Sequence, residues 1–286
     1  MGHSTTQKVT AATLLVALGI IYGDIGTSPL YVMKAIVDKR AISELLVYGG
    51  ISCVFWTLTF QTTFKYIILT LNADNHGEGG VFSLYALVKR FGKGRLVIPT
   101  ILGAATLLAD GIITPPISVA SAVEGLRMLH HADGRPFVTD TVPLVIMILT
   151  GLFLFQIMGT KVVGKFFGPI MLAWFSMLAL TGILGIENDW SILRAINPSY
   201  AWDLLTTHQA GSAGFWSLGA VFLCTTGAEA LYSDLGHCGR ENIRVSWMFV
   251  KIALLLQYFG QGAWLLSHNG ALLGVKKPIF ELLKSE

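Results

Sequence analysis

Charge is what this sequence has least of. Asp, Glu, Lys and Arg together make up 13% of its 286 residues, against about 25% in an ordinary soluble domain. With 53% hydrophobic residues and a mean hydropathy of +0.64, that scarcity puts the chain among polytopic membrane proteins. The other absences narrow it further. A net charge of +3 with no basic run gives no reason to expect nucleic acid. The three cysteines, Cys53, Cys224 and Cys238, fit no metal spacing and no disulfide framework, so they are expected as small buried hydrophobes. No short apolar core precedes a small-residue cleavage site, so no removable signal peptide is expected. His130 and His131 share a loop, His208, His237 and His268 are scattered, and none pairs convincingly with a serine. That argues against an intramembrane hydrolase and against an enzyme generally.

Seven stretches are long and apolar enough to cross a bilayer: 11–37, 45–71, 97–124, 142–159, 166–186, 213–235 and 246–268. They are called segments 1 to 7 below. Connections after segments 2, 4 and 6 carry eight Lys and Arg, and those after 1, 3 and 5 carry six when Lys34 at the end of segment 1 is included, which favours a cytoplasmic N-terminus. Residues 1–10 form a short tail. Val81–Arg90 has the mix of apolar and basic residues of a short interfacial helix. The loops at 127–141 and 187–210 are polar with aromatic flanks, as at a membrane–water interface.

Segments 1, 3 and 6 are expected to be interrupted, each by helix-breaking residues beside acids. Segment 1 breaks at Gly23–Pro29, around Asp24. Segment 3 holds Asp110, Gly111, Pro115 and Pro116, and segment 6 holds Thr226, Gly227 and Glu229. A carboxylate at bilayer depth costs roughly 2.5–3.5 kcal/mol on insertion scales, so each acid is a functional candidate. Unwound backbone at that depth persists only where it lines protein or a wet cavity. Segments 2, 4 and 7 are plain by comparison, with Lys65 in segment 2 either snorkelling or facing protein.

Broken helices five spans apart point to the midplane site of an inverted-repeat transporter. Asp110, Thr114 and Ser118 follow at i, i+4 and i+8, on one helical stripe. The two hydroxyls either line a cation path or bond back to carbonyls loosened by the prolines. Glu124 is either a pathway acid or a solvated interfacial one. Tyr22 and Tyr31 have a packing alternative, although Tyr31 shares a face with Asp24 if the helix resumes. His76 and Glu78 lack a second His or Cys at ligand spacing, so the glycines of Asn75–Gly80 are expected to shape a tight turn.

These blocks carry a resemblance. Gly23–Tyr31, Asn75–Gly80, Asp110–Pro115, Ser118–Gly125 and Thr226–His237 are similar to motifs of the KUP/HAK/KT potassium uptake family, relatives of amino acid–polyamine–organocation transporters. The resemblance extends over essentially the whole chain. It implies an all-α polytopic membrane protein with a LeuT-like inverted-repeat core, broken at segments 1 and 6, in the cell membrane. It implies potassium import coupled to protons, with no cofactor beyond the transported ions and the lipid bilayer as surroundings; a homodimer is compatible with it. Carried over by motif, potassium would be held by Tyr31, Thr114, Ser118 and Thr226. Asp24, Asp110, Glu229 and Glu124 would be the acids of the proton pathway. Pro116 and Cys238 depart from the family pattern only locally.

Length is the larger departure. The family implies about twelve spans and a soluble region, whereas this chain has about seven. On that scheme residues 11–186 are the first five-helix repeat, 187–212 a loop, and 213–286 the opening of the second repeat with a truncated tail. Two competing readings remain: a proton-coupled organic-solute permease on the same architecture, and a non-transporting partner fragment.

Overall fold

The computed structural model describes residues 8–89, 91, 94–126, 140–157, 160–207, 214–274 and 278–282, and for 160–165 the backbone alone. The described residues are helical, with isolated bridges at Ala41–Leu272 and Asn75–Glu78 in place of strands. Among the described residues, four helices are long and apolar enough to cross a membrane: Glu44–Asn72, Val97–Leu126, Phe166–Glu187 and Arg240–Leu266. Shorter apolar helices occupy Ala11–Ile21 and Val142–Gln156.

The backbone breaks where Gly and Pro forecast it in segments 1 and 6. The Ala11–Ile21 helix gives way to a turn, a 3-10 stretch at Ile25–Leu30 containing Pro29, and an α-helix at Val32–Val37. Segment 6 runs Ser217–Phe222, then a 3-10 turn at Leu223–Thr225, an extended Thr226, and short helices Ala230–Ser233 and Leu235–Cys238. Gly227 has φ of 84°, a left-handed conformation that a side chain would strain.

Three expectations are corrected. Segment 3 is not interrupted: Val97–Leu126 is one helix with Pro115 and Pro116 inside it. Membrane helices accept proline because neighbouring groups and local adjustment re-satisfy the freed carbonyls. Segment 2 is not plain, since Leu58–Leu69 is π-helical. Thr59 and Thr63 hydroxyls donate there to the carbonyls of Phe55 and Leu58, at 2.8 and 3.1 Å. Such back-bonding competes with the regular ladder. The connection after segment 5 is not a plain loop; it holds a 3-10 helix at Trp190–Ile196 and an α-helix at Pro198–Thr206. Asp189 and Asn197 cap them by accepting from the backbone N–H of Ser191 and Ser199. The stretch expected as a short helix over Val81–Arg90 is α-helical at Val81–Val88. Most of the 127–141 loop lies outside the described residues.

The chain forms two compact units. Unit 1 comprises Met1–Asp24, Phe64–Leu172 and Gly227–Trp247; unit 2 comprises Ile25–Thr63, Ala173–Thr226 and Met248–Glu286. Their boundaries in segments 1 and 6 fall at the two breaks. In unit 1, Tyr22 is fully buried and stacks on Trp247, with ring centroids 6.3 Å apart. In unit 2, helices approach closely through small residues: a Cβ on Gly182 would collide with the backbone of Leu256. The Val97–Leu126 helix leaves Ile98, Leu102, Leu108, Ile112 and Ile113 exposed, a surface suited to lipid or further apolar protein.

Candidate functional site

In unit 1 the three acids converge. One carboxylate oxygen each from Asp24, Asp110 and Glu229 lies within 4.8 Å of the other two, and all three residues are half-buried. The three are spread over more than 200 residues of sequence, from Asp24 to Glu229, so the grouping is a product of folding. Asp24 follows the end of the Ala11–Ile21 helix, whose start is fixed by a reciprocal Thr10–Thr13 capping box. The Tyr22 hydroxyl donates to the Ile243 carbonyl at 2.9 Å and pairs with the Ser246 hydroxyl at 3.0 Å. Tyr22 therefore takes the packing role, anchoring the turn that presents Asp24. Glu229 is presented by the turn after Gly227, with its carbonyl accepting from Tyr232 and Ser233 N–H groups.

Asp110 projects from the Val97–Leu126 helix. The Thr114 hydroxyl, one turn later, donates to Asp110 Oδ1 at 2.7 Å. Of the two alternatives left open for Thr114, bonding back to a loosened carbonyl does not hold, because its partner is the carboxylate. The bond joins an expected ion ligand to an expected pathway acid. Ser118, half-buried, lies a further turn along. Glu124 stands apart: fourteen residues beyond Asp110 is roughly 21 Å along a helix, and it is not in the cluster among the described residues.

Three like charges this close repel strongly, by about 4 kcal/mol per pair at 4 Å with an effective dielectric of 20. A cation or a shared proton must compensate them. Oxygen-only ligands suit hard alkali or alkaline-earth cations and not the softer transition metals.

Asp110 and Glu229 also line a cavity of about 600 Å³, whose walls include Lys65, Tyr66, Thr106, Tyr232 and Ser233. Sequence reasoning missed this role for Lys65 and Tyr66; the π-helix that carries them has no Gly or Pro signal. The Asn75–Gly80 motif forms the expected tight turn. Asn75 and Glu78 exchange backbone hydrogen bonds at 2.9 and 3.1 Å, and Gly77 N–H donates to Asp74 at 2.9 Å. The turn packs against the end of segment 6: the Tyr232 hydroxyl donates to the Ala73 carbonyl at 2.6 Å, and Arg240 pairs with Asp74 at 2.5 Å. A Cβ on Gly79 would collide with the Tyr232 carbonyl, and one on Gly236 with the Glu78 carboxylate.

Tyr31 and Thr226 belong to unit 2. The premise that Tyr31 shares a helical face with Asp24 fails, because α-helix resumes only at Val32, after a 3-10 stretch with three residues per turn. The Tyr31 hydroxyl lies 3.4 Å from that of Ser28, which in turn donates to the Leu223 carbonyl at 3.1 Å. The unwound backbone here is closed by side chains that sequence reasoning missed. Trp174 Nε1 donates to the Gly26 carbonyl at 2.9 Å, and Gln261 Nε2 to the Pro29 carbonyl at 3.1 Å. Thr226 is extended, with φ −56° and ψ 132°, at the end of its 3-10 turn.

Comparison with known proteins matches residues 11–286 to the family described as K+ potassium transporter integral membrane domain. A protein of Cytophaga hutchinsonii named "Probable potassium transport system protein Kup" is 61% identical over 271 residues, covering 94% of this chain and 40% of its own length. A protein of the same name from Flavobacterium psychrophilum is 62% identical over 268 residues, with the same 94% and 40% coverage. "Probable potassium transport system protein Kup 2" of Lactococcus lactis subsp. cremoris (strain MG1363) is 52% identical over 281 residues, or 97% of this chain and 41% of its own length. These relatives are named as transport proteins and not as enzymes, and the chain spans about 40% of their length. No solved structure matches it. A match to the integral membrane domain over nearly the whole length, on a chain of apolar spans broken around acids, makes this a multi-pass membrane protein that belongs to the K+ potassium transporter family.

Proposed function

We propose that this chain carries the ion-binding portion of a proton-coupled potassium importer, with its N-terminus in the cytoplasm. The observation that carries the reading is the convergence of Asp24, Asp110 and Glu229 within 4.8 Å, two of them on broken segments of a membrane helix bundle. Family membership and the names of the relatives support potassium as the ion.

A monovalent cation of this size must exchange its water for protein oxygens that hold it without trapping it. Thr114, bonded to Asp110, is suited to sharing its oxygen with an ion beside the cluster. The family resemblance adds Ser118, Tyr31 and Thr226 to the ligand set. A cation and a proton together compensate charge on the three carboxylates that neither compensates alone, and that joint loading is the proposed coupling. Both load from outside and both leave to the cytoplasm, so potassium and proton move in the same direction, as symport, and the emptied carrier returns. The family resemblance supports a LeuT-like arrangement of about seven spans in this chain, residues 11–186 forming one repeat and residue 213 opening the next.

The membrane potential is sufficient to drive such a cycle. Moving one charge through 100 mV yields about 2.3 kcal/mol, so a potassium ion with a proton gains about 4.6 kcal/mol. At about 1.4 kcal/mol per decade that sustains a gradient of roughly three decades. The test is rubidium uptake by cells lacking other potassium importers, comparing this chain with the same sequence continued to the length of its relatives. The expected result is uptake by the longer protein that Asp24→Asn abolishes while the protein still reaches the membrane. Uptake of amino acids in place of rubidium overturns the reading.

A further inference from the structure

Lys65 is the one cation lining the cavity that reaches Asp110 and Glu229 among the described residues. It lies on the π-helical stretch of the Glu44–Asn72 helix, in unit 1 with both acids. It makes no ion pair among the described residues; its ammonium rests over the Tyr66 ring, 5.0 Å from the centroid. Lys65 is exposed, as a snorkelling lysine would be, but it also lines the cavity that Asp110 and Glu229 line, held by a weak cation–π contact worth about 0.5–1 kcal/mol at an exposed site.

The wall chemistry of the cavity matches what an alkylammonium group wants. Carboxylates stand at Asp110 and Glu229, hydroxyls at Thr106 and Ser233, and Val81, Leu84 and Leu107 line an apolar flank for the methylene stem. A sphere of about 600 Å³ is roughly 10 Å across, so one unit charge on its wall is felt at the opposite wall. At an effective dielectric near 20 the effect on a competing cation is about tenfold in affinity.

We propose that Lys65 is a tethered counter-cation for the acid cluster. It rests on Tyr66 while an ion occupies the carboxylates and swings toward Asp110 and Glu229 as the ion departs through the cavity. This rests on the potassium reading above. Its effect is to weaken cation binding on the cavity side: the carboxylates left by a departing ion are compensated at once, so the next cation from that side is not captured. Lys65 thus sets release and does not add affinity.

The experiment is equilibrium binding of rubidium to the purified chain in detergent or nanodiscs at fixed pH. Lys65→Met is expected to bind rubidium about tenfold more tightly than wild type, and Lys65→Arg to stay within about twofold of wild type. A lysine with a purely structural role gives weaker or unchanged binding on removal, so the direction of the change is diagnostic. Should Lys65→Met fail to fold, Lys65→Cys supplies the same comparison within one preparation. Attaching an aminoethyl group through a methanethiosulfonate reagent is expected to restore wild-type affinity, whereas an uncharged propyl group does not. Treated wild type controls for Cys53, Cys224 and Cys238, all of which are buried. Unchanged or weaker rubidium binding in both neutral variants, with wild type binding normally, overturns the proposal and leaves the potassium reading intact. Absence of rubidium binding by wild type itself overturns the potassium reading, and this inference falls with it.

Discussion

The two units treat broken helix in opposite ways. In unit 2 the unwound backbone of segments 1 and 6 is sealed by neutral side chains: Trp174 takes the Gly26 carbonyl and Gln261 the Pro29 carbonyl in segment 1, and Ser28 takes the Leu223 carbonyl in segment 6. In unit 1 the break presents carboxylates to one another and to a cavity. A freed backbone group in a bilayer must find a partner, and closing it with an amide or indole is a matter of stability. Gathering three acids serves no such purpose, since it adds repulsion that packing alone gives no reason to keep. On the proposed function, sealed breaks are scaffold and charged breaks are machinery.

The largest expected effect tests that division directly. Asp24→Asn and Glu229→Gln, in the protein continued to the length of its relatives, should each reduce rubidium uptake by about 100-fold or more, with membrane abundance unchanged. Each replacement removes one of three repelling charges, so the thermal midpoint in detergent should hold or rise. Full uptake by both variants erases the distinction between the units. A second effect belongs to unit 2 alone. Gly182→Ala drives a methyl into the backbone of Leu256 and should destabilise the fold by about 1–3 kcal/mol, read as a lower unfolding midpoint. Because Gly182 touches no acid, rubidium affinity of the protein that remains folded should match wild type.

What the sequence made legible follows the same line. The breaks in segments 1 and 6 were readable because Gly23, Pro29 and Gly227 leave the backbone few alternatives, and the acids beside them were conspicuous against apolar surroundings. Pro115 and Pro116 misled, because the same residue type that ends a helix in water is accommodated inside one here. Gly111, four residues before Pro115, has nothing within 4 Å of where its Cβ would stand, which leaves the backbone there room to adjust. The π-helix at Leu58–Leu69 was hidden because threonine hydroxyls bonding to carbonyls leave no compositional trace. The caps at Asp189 and Asn197-Pro198 were readable but were outweighed by the interfacial tryptophans around them. The convergence of the acids is long-range, and spacing along the chain cannot reveal it.

A third prediction sharpens the claim that sealing is structural. Gln261→Leu leaves the Pro29 carbonyl without its amide donor and should cost about 1–3 kcal/mol of stability, the penalty of an unpaired buried acceptor. Trp174→Phe removes only the indole N–H from the Gly26 carbonyl, keeps most of the ring's packing, and should cost about 1 kcal/mol. Chemical denaturation of both variants and their double mutant reads this. The two carbonyls lie on one 3-10 stretch, so the double mutant should depart from additivity.

The smallest effect is expected at the turn that packs on the end of segment 6. Arg240 and Asp74 form a close ion pair, but their side chains are 36% and 28% exposed, so solvent screens much of the attraction. Arg240→Met should therefore cost no more than about 1 kcal/mol. Salt distinguishes this contact from the acid cluster: the screening length falls from about 10 Å at 0.1 M ionic strength to about 3 Å at 1 M, which weakens an exposed pair and affects buried charges far less. Raising salt should lower the wild-type midpoint toward that of Arg240→Met, while Asp24→Asn keeps its difference from wild type. If Arg240→Met proves as damaging as Gln261→Leu, the turn holds segment 6 more firmly than an exposed ion pair can. The weight would then fall on the Tyr232 hydroxyl bonded to Ala73 and on the close approach of Gly79 to Tyr232.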